Sequence, residues 1–215
     1  MTVFPSHRQN GAVLLVALVM LLVLTLLAVS SMRSVTLETR ITANRAQSVQ
    51  LVNVAEAGLR EAEFRFYGPG NLADKLNANP ANCHPSNTLK VNGLNKPCLL
   101  GIVKEKLQAF VEEPHKIKAD FLARGSSGSQ IWMPYKGTDP ANTTTPSGSH
   151  TAQWNSILAG ESKTAAVNAE YGMALEGQGT YFYLNNAKAT PKEGQSGGVT
   201  YVQSSHANIY LGLNN

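Results

Sequence analysis

The sequence predicts an α+β protein in which one long N-terminal helix precedes a domain built around an antiparallel sheet. The first observation is that Ala12–Phe66 contains no Pro, a single Gly and many good helix formers. The second is that Gly and Pro follow at once, and that β-rich segments separated by turn residues occupy the C-terminal part. A helix of roughly 55 residues would be about 80 Å long at 1.5 Å per residue.

The first third of this helix is apolar enough to cross a membrane. Ala12–Val29 has no charged residue, no Gly and no Pro, and Thr25 is its only polar member. Its length falls within the roughly 17–25 residues that span a bilayer. A secretory signal would end in a cleavage site after about 7–15 apolar residues, whereas here the helical pattern continues. Arginines lie on both sides of the segment and do not decide its orientation: Arg8, Arg33, Arg40 and Arg45.

The rest of the helix is amphipathic. Apolar residues spaced alternately by three and four form one stripe, which we expect to pack under the sheet: Val52, Ala55, Leu59, Ala62 and Phe66. Glu56 and Arg60 form an i,i+4 pair on another face, with Glu63 beside them. These charges would face either neighbouring subunits or solvent. Gly58 is assigned to the polar side, as a point of close approach.

Composition describes an extracytoplasmic surface better than a cytosolic one. Charged residues make up only 15% of the 215 residues, and the net charge of +4 is dispersed. A nucleic-acid groove combines a dense basic stripe with aromatic residues, so we expect no contact with nucleic acid. The lysines nearest to each other are instead interleaved with Glu105, Glu112 and Glu113.

Two cysteines, Cys83 and Cys98, follow the membrane segment. If the domain is periplasmic, a disulfide is the default expectation, because that compartment oxidises paired thiols, and closing a loop of about fifteen residues would stabilise the fold by roughly 3 kcal/mol. The alternative is two unrelated reduced thiols. A zinc site lacks its second ligand pair, because only His84 accompanies them.

The remaining elements are expected in the following order. Loops are predicted at Asn71–Pro97, Gly125–Ser129 and Thr138–Thr151, and hairpin turns at Asn185-Asn186 and Gly194–Gly198. Short helices are predicted at Leu99–Glu113 and around Trp154, Ile157 and Leu158. Strands are predicted at Asp120–Ala123, Gln130–Tyr135, Val167–Leu175, Thr180–Leu184, Val199–Gln203 and Ala207–Leu213.

No motif of catalysis is visible in the sequence. The five histidines are scattered, and no phosphate-binding loop, dinucleotide fingerprint, zinc-protease or calcium-loop pattern occurs. Acidic residues do not cluster. We therefore expect no catalytic residue, no metal, no cofactor and no enzymatic activity, but a structural protein.

Several residues carry a family resemblance. The polar leader Met1–Gly11, followed at once by Ala-Val-Leu-Leu and an apolar helix, resembles the class III signal of type IV pilins. Further along, the run Ala55-Glu56-Ala57-Gly58-Leu59-Arg60-Glu61-Ala62-Glu63 resembles the N-terminal domain of the PilX minor pilins. The resemblance covers residues 8–66 and implies a pilin-like fold. It implies three parts: a leader (1–11), the long helix (12–66, transmembrane at 12–29) and a periplasmic domain (67–215).

The resemblance also implies how the chain is processed. A prepilin peptidase would cut between Gly11 and Ala12 and methylate Ala12. One position departs from the pattern, because most pilins carry a Glu five residues after the cleavage point, where this chain has Val16. A carboxylate in lipid is costly unless it is paired, so its absence favours a subunit with no neighbour above it.

The function implied is that of a minor pilin in a tip or priming complex that initiates pilus assembly and supports twitching motility and adhesion. Expected partners are other minor pilins, the assembly platform, a PilY-type tip adhesin and the prepilin peptidase. The chain would lie in the inner membrane with its C-terminal domain in the periplasm, and then in the extracellular pilus. Two alternatives stay open: a GspK-like pseudopilin of type II secretion, and an anchored binding module of the cell surface.

Overall fold

One long helix dominates the N-terminal half of the computed structural model. The structure describes residues 10–67, 76–90, 95–117, 119–122, 131–139, 141, 148–162, 179–194 and 197–210. Helix α1 spans Asn10–Tyr67 without interruption, so the predicted long helix is confirmed. The chain divides into two compact units, Met1–Gln47 and Ser48–Asn215, and α1 contributes residues to both. The predicted stop signal, Gly68-Pro69-Gly70, lies outside the described residues.

The second unit contains a five-stranded mixed sheet. Its strands are β1 (Leu99–Gly101), β2 (Met133–Pro134), β3 (His150–Ser162), β4 (Gly179–Pro191) and β5 (Thr200–Tyr210). The order is β1-β3-β4-β5, with β2 also pairing with β3. All pairs are antiparallel except β1 with β3. The predicted α+β architecture, with a helix packed on a largely antiparallel sheet, is therefore confirmed.

Helix α1 packs on one face of this sheet through its last five turns. Leu51, Val54 and Ala55 form a buried cluster with Ala152 of β3 and Ala189 of β4. Gly58 lies on this buried face, so its assignment to the polar side was wrong. A Cβ atom at Gly58 would lie 3.4 Å from the Ala187 Cβ and 3.4 Å from the Gln153 carbonyl oxygen. The small residue thus permits the close approach of helix and sheet.

The predicted helix at Leu99–Glu113 is only partly present. Its first three residues form β1 instead, and Leu99 and Leu100 are both buried, as in a strand covered on two faces. A 3-10 turn at Lys104–Lys106 and helix α2 at Leu107–Glu112 follow. The prediction rests on an apolar face shared by Leu100, Val103, Leu107, Phe110 and Val111. That face does not form, because Phe110 of α2 is buried whereas Val111 is 44% exposed.

The predicted helix around Trp154, Ile157 and Leu158 was wrong, because these residues belong to β3. Trp154 and Ile157 are both fully buried, as expected for residues that fill the core. Side chains three apart in a strand point to opposite faces. Both faces of β3 are covered here, and a doubly covered strand mimics the spacing of a helix.

The hairpin turn predicted at Asn185-Asn186 was also wrong. Both residues lie in the middle of β4, opposite Ser156 and Asn155 of β3, and both are buried. Their amides form hydrogen bonds across strands, which removes the cost of burying them: Ser156 Oγ donates to Asn185 Oδ1 (2.7 Å) and Asn186 Nδ2 donates to Asn155 Oδ1 (3.0 Å).

Other boundaries shift. The strand predicted at Asp120–Ala123 was wrong, because Ala119–Phe121 form a 3-10 turn and Leu122 pairs only in an isolated bridge with Ile102 within the described residues. The strand at Gln130–Tyr135 shrinks to β2. The last two predicted strands merge into β5, since the residues between them, Ser204 to His206, pair with Tyr183 to Asn185 of β4 in continuous register. The predicted loop at Thr138–Thr151 ends where β3 begins, at His150.

Some expectations fall where the structure gives no description, namely the strand Val167–Leu175 and the turn Gly125–Ser129. The described part of the Asn71–Pro97 loop contains a single 3-10 turn at Pro80–Asn82. Near the predicted turn at Gly194–Gly198, Gly194 has a φ of 79°, which favours glycine. Two further 3-10 turns are Pro114–Lys116, after α2, and the one at Ala119–Phe121.

Candidate functional site

The N-terminal unit presents an unusual apolar surface. Every residue from 12 to 47 is exposed. An 18-residue window of this helix has a mean hydropathy of 3.2, and none of it is buried. Leu14, for example, is 73% exposed and Leu21 66%. An apolar surface of this extent is covered by lipid or by other proteins in a working molecule. The helix is long and apolar enough to cross a membrane.

The polar residue within this segment is compatible with lipid. Thr25 donates its hydroxyl to the carbonyl oxygen of Leu22 at 2.8 Å, so its hydrogen-bonding group is satisfied within the helix. Thr36 and Thr39 donate in the same way to Met32 and Val35, each at 2.8 Å.

The residues predicted for processing lie at the start of α1. Gly11 belongs to the first turn of α1, directly before Ala12. Val16 is 55% exposed on the apolar surface. Cleavage between Gly11 and Ala12, methylation of Ala12 and the role assigned to Val16 stay predictions.

The predicted packing stripe is only partly the buried one. Ala55, Ala62 and Phe66 are buried, whereas Val52 and Leu59 are half-buried. The most buried positions of α1 in this domain also include Leu51, Val54, Gly58, Glu61 and Arg65. The buried face is therefore rotated, and it contains two charged residues that the sequence analysis did not single out.

These two residues, Glu61 and Arg65, form a buried ion pair one turn apart on α1. Arg65 Nη2 lies 2.7 Å from Glu61 Oε1, and the two side chains are 0% and 2% exposed. The other carboxylate oxygen, Glu61 Oε2, accepts hydrogen bonds from the backbone N–H groups of Lys136 (3.1 Å) and Gly137 (3.2 Å). Glu61 thus ties the helix to the loop that follows β2.

Arg65 is also bonded to the loop that contains Asn87 and lies against the Trp154 ring. Its Nη1 donates to Asn87 Oδ1 at 3.0 Å and its Nη2 to the Asn87 carbonyl oxygen at 2.9 Å. The guanidinium carbon lies 4.7 Å from the centre of the Trp154 ring, a cation–π geometry. Burial lowers the pKa of Arg65, and the hydrogen bond and charge of Glu61 act against that shift. A buried charge of this kind is tolerated only with such partners.

One signal for this pair was present in the sequence. Glu61 and Arg65 are spaced i,i+4 in acid-before-base order, like Glu56 and Arg60. Arg60 Nη2 lies 3.7 Å from Glu56 Oε2, and these side chains are 80% and 46% exposed. The buried pair differs from the exposed one only in its angular position around the helix relative to the buried residues Ala55 and Ala62. Glu63 does not join the exposed pair, but accepts a hydrogen bond from Ser204 Oγ of β5 at 2.5 Å.

A disulfide holds the loop that carries Asn87. Cys83 and Cys98 are bonded, and both are buried. Within the enclosed loop, Asn87 Nδ2 donates to the carbonyl oxygens of Asn82 and Lys96, each at 2.7 Å. The loop therefore presents Asn87 to Arg65, and the covalent bridge supports the attachment of α1 indirectly.

Phe66 anchors the end of α1 among aromatic side chains. Its ring centre lies 4.6 Å from that of His206 and 5.2 Å from that of Tyr183. Asn185 Nδ2 and His206 Nδ1 are 3.2 Å apart, and Tyr183 donates its hydroxyl to the Leu76 carbonyl oxygen at 3.0 Å. Burial raises the pKa of Tyr183 to about 12. Burial lowers the pKa of His206, while the charge of Glu63 partly offsets that shift.

The described residues show no arrangement of metal ligands. Within these ranges, no group of three or more His, Cys, Asp and Glu side chains is placed to hold a metal ion. His84 is hydrogen-bonded to Ser86, His150 to Ser149, and His115 lies beside Tyr201.

Comparison with known proteins finds a match over most of helix α1. Residues 10–60 match a family model described as PilX N-terminal. No curated protein and no solved structure matches the chain. The match begins one residue before Gly11 and ends at Arg60, so it covers the exposed apolar helix and the first half of the segment docked on the sheet.

Proposed function

We propose that this chain is a PilX-type minor pilin of the type IV pilus and that it works at the filament tip. The ground for the family is the match of residues 10–60, in the N-terminal helix, to the PilX N-terminal model. At the tip it would join other minor pilins in the complex that primes pilus assembly, and so support twitching motility and adhesion. The observation that carries the proposal is a single helix that is wholly exposed over residues 12–47 and docked on a folded domain over its last turns.

The exposed helix supplies the driving interaction for assembly. Lipid tails are as apolar as leucine side chains, so helices associate within a membrane through close packing and specific contacts. Ala12–Val29 offers such a packing surface with no charge to desolvate. The same helix would serve as an inner-membrane anchor before assembly and as part of the filament core afterwards.

Val16 supports a position at the tip. A subunit added beneath a predecessor would need a partner for that predecessor's free N-terminus, and a carboxylate at this position would supply it. Val16 supplies none, as expected for a subunit with no neighbour above it.

The disulfide supports an extracytoplasmic location for the domain. Disulfides form and persist in the periplasm and outside the cell. Cys83 and Cys98 lie in the C-terminal domain, so that domain would face the periplasm and later the exterior. By family resemblance its partners would be the assembly platform, a PilY-type adhesin and the prepilin peptidase. We propose a structural role for it rather than a catalytic one.

The test is deletion of the gene followed by a count of filaments by electron microscopy, with twitching measured alongside. We expect piliation to fall sharply and to return with the wild-type gene but not with Gly11→Val, which should block the proposed cleavage. Gly148→Val is the matched control, because a Cβ at Gly148 would meet nothing within 4 Å. N-terminal sequencing of the wild-type protein should begin at a methylated Ala12.

Two outcomes would refute the proposal. Unchanged piliation would favour the anchored binding module. Normal piliation with a defect in protein secretion would favour a type II secretion pseudopilin.

A further inference from the structure

A row of amide side chains crosses the sheet on the face opposite α1. Asn155 Nδ2 donates to the Ile131 carbonyl oxygen (3.0 Å), Asn186 Nδ2 donates to Asn155 Oδ1 (3.0 Å), and Gln203 Nε2 donates to Asn186 Oδ1 (2.5 Å). All bonds run in the same direction, so the orientation of each amide fixes the next. The row starts at buried Asn155 and ends at exposed Gln203.

The outer end of this row opens into a pocket of about 430 Å³ between β5 and the segment that follows α2. Its lining includes Glu112 at the end of α2, His115 after it, Asn186 of β4, and Tyr201 and Gln203 of β5. Volumes of about 300–1,000 Å³ are usual for small-molecule sites. Gln203 lines this pocket, and the hydrogen bond shown for its side chain within the described residues is the one from Nε2 to Asn186 Oδ1, which leaves Oε1 and one N–H for a ligand.

An aromatic platform lies beside the amide. Tyr201 is two residues before Gln203 on β5, so both side chains point to the same face about 7 Å apart. The Tyr201 ring centre lies 6.0 Å from the ring centre of His115 and 6.0 Å from that of Trp132, and both neighbours are tilted relative to it. Lys188 Nζ lies 4.5 Å from the centre of the Trp132 ring, which holds that ring in turn. The platform is therefore supported from three elements.

This combination selects for a ligand with an apolar face and a polar rim. An aromatic ring offers a flat apolar surface, and an amide offers a donor and an acceptor together. A hexopyranose presents C–H groups on one face and hydroxyl groups, each donor and acceptor, around its edge. Glu112 is the acidic residue in the described lining; its Oε1 accepts a hydrogen bond from Gln108 Nε2 at 3.0 Å, and its negative charge disfavours an anionic ligand.

We propose that this pocket binds a neutral hexopyranose unit of a glycan, with the sugar stacked on Tyr201 and its hydroxyl groups bonded to Gln203 and Glu112. Asn186 and Asn155 are positioning residues that fix the Gln203 amide. The pocket lies in the second unit, and its binding does not depend on the position of the subunit in a filament.

The test measures binding of galactose and N-acetylglucosamine to the full-length chain by saturation-transfer NMR and titration. A sugar-free detergent such as lauryldimethylamine oxide is required, because glycoside detergents would occupy the site. We expect saturable binding of a neutral sugar and weaker binding of sialic acid. Tyr201→Ala should weaken binding about tenfold, which is the usual effect of removing an aromatic side chain that carries a binding contact. Gln203→Ala should also weaken it, and because this variant removes the donor to the buried Asn186 Oδ1, its fold is checked by circular dichroism before binding is compared.

The matched control is Phe182→Ala, which removes an aromatic ring that is 47% exposed on the same sheet face but outside the pocket. We expect it to leave binding unchanged. The proposal is overturned if no neutral sugar binds, if sialic acid or adenosine binds more tightly, or if neither Tyr201→Ala nor Gln203→Ala weakens binding in a folded protein. Binding is measured on purified protein, so failure here is separate from failure of the filament count.

Discussion

Removing the cation of the buried ion pair should destabilise the domain strongly. In Arg65→Met the apolar volume is kept, but Glu61 loses its charged partner and stays 2% exposed. Breaking a buried pair in this way typically costs about 3–5 kcal/mol. Two backbone N–H groups still bond to Glu61, so we expect the lower part of that range, near 3 kcal/mol.

The magnitude can be compared with the exposed pair on the same helix. Arg60→Met removes the same chemistry from a side chain that is 80% exposed, and such pairs contribute less than about 1 kcal/mol. Since about 1 kcal/mol shifts the melting temperature of a protein of this size by roughly 2–4 °C, Arg65→Met should lower it by about 6–12 °C. Arg60→Met should change it by only a few degrees.

The assay is thermal and urea unfolding of the full chain in micelles, followed by circular dichroism and tryptophan fluorescence. Trp154 lies against the guanidinium and reports on its loss directly. The double variant Glu61→Gln with Arg65→Met removes both charges and should recover part of the loss. Equal effects of Arg65→Met and Arg60→Met, or no recovery in the double variant, would refute the stabilising role assigned to the pair.

Three further predictions concern other contacts of the domain. Burial lowers the pKa of His206 in the folded state, so its contribution to the free energy of unfolding should be complete above the pKa of the unfolded state, near 6.5, and should be lost as the pH falls from there towards the folded pKa. His206→Gln should flatten this dependence of stability on pH. An unchanged profile in that variant would contradict the assignment. Gly58→Ala should be neutral or stabilising by up to about 1 kcal/mol, whereas Gly58→Leu should cost about 1–3 kcal/mol in urea unfolding; equal effects would exclude the close packing. Cys83→Ser with Cys98→Ser should cost roughly 3 kcal/mol, and reductant should reproduce the loss in wild type only.

The long helix could be predicted because its signals are local. Continuous helix formers and an apolar run decide the state of Ala12–Phe66 without reference to the rest of the chain. The ranges of β4 and β5 were indicated only in part, because strand ends depend on partners far along the chain.

The errors share a physical cause, which is that burial on both faces of a sheet hides its period. Trp154 and Ile157 look helical in sequence because β3 is covered on both sides. Asn185 and Asn186 look like a turn because their amides are polar, yet cross-strand partners satisfy them. Both cases require knowledge of neighbours that periodicity does not carry.

The candidate sites show the same limit. Glu56–Arg60 and Glu61–Arg65 have identical spacing, and only the sheet decides that the second pair is buried. The pocket at Tyr201 and Gln203 combines β5 with the segment after α2, more than eighty residues earlier in the chain, so sequence spacing gives no sign of it.

The disulfide makes the attachment of α1 to its own domain depend on whether Cys83 and Cys98 are oxidised. Arg65 bonds to Asn87, and Asn87 is held inside the loop that Cys83 and Cys98 close. A chain whose thiols are still reduced would hold Asn87 loosely and leave the buried guanidinium with weaker partners. In the proposed pilin, a chain that lacks the bridge would therefore enter assembly with the last turns of α1 less firmly attached to its domain.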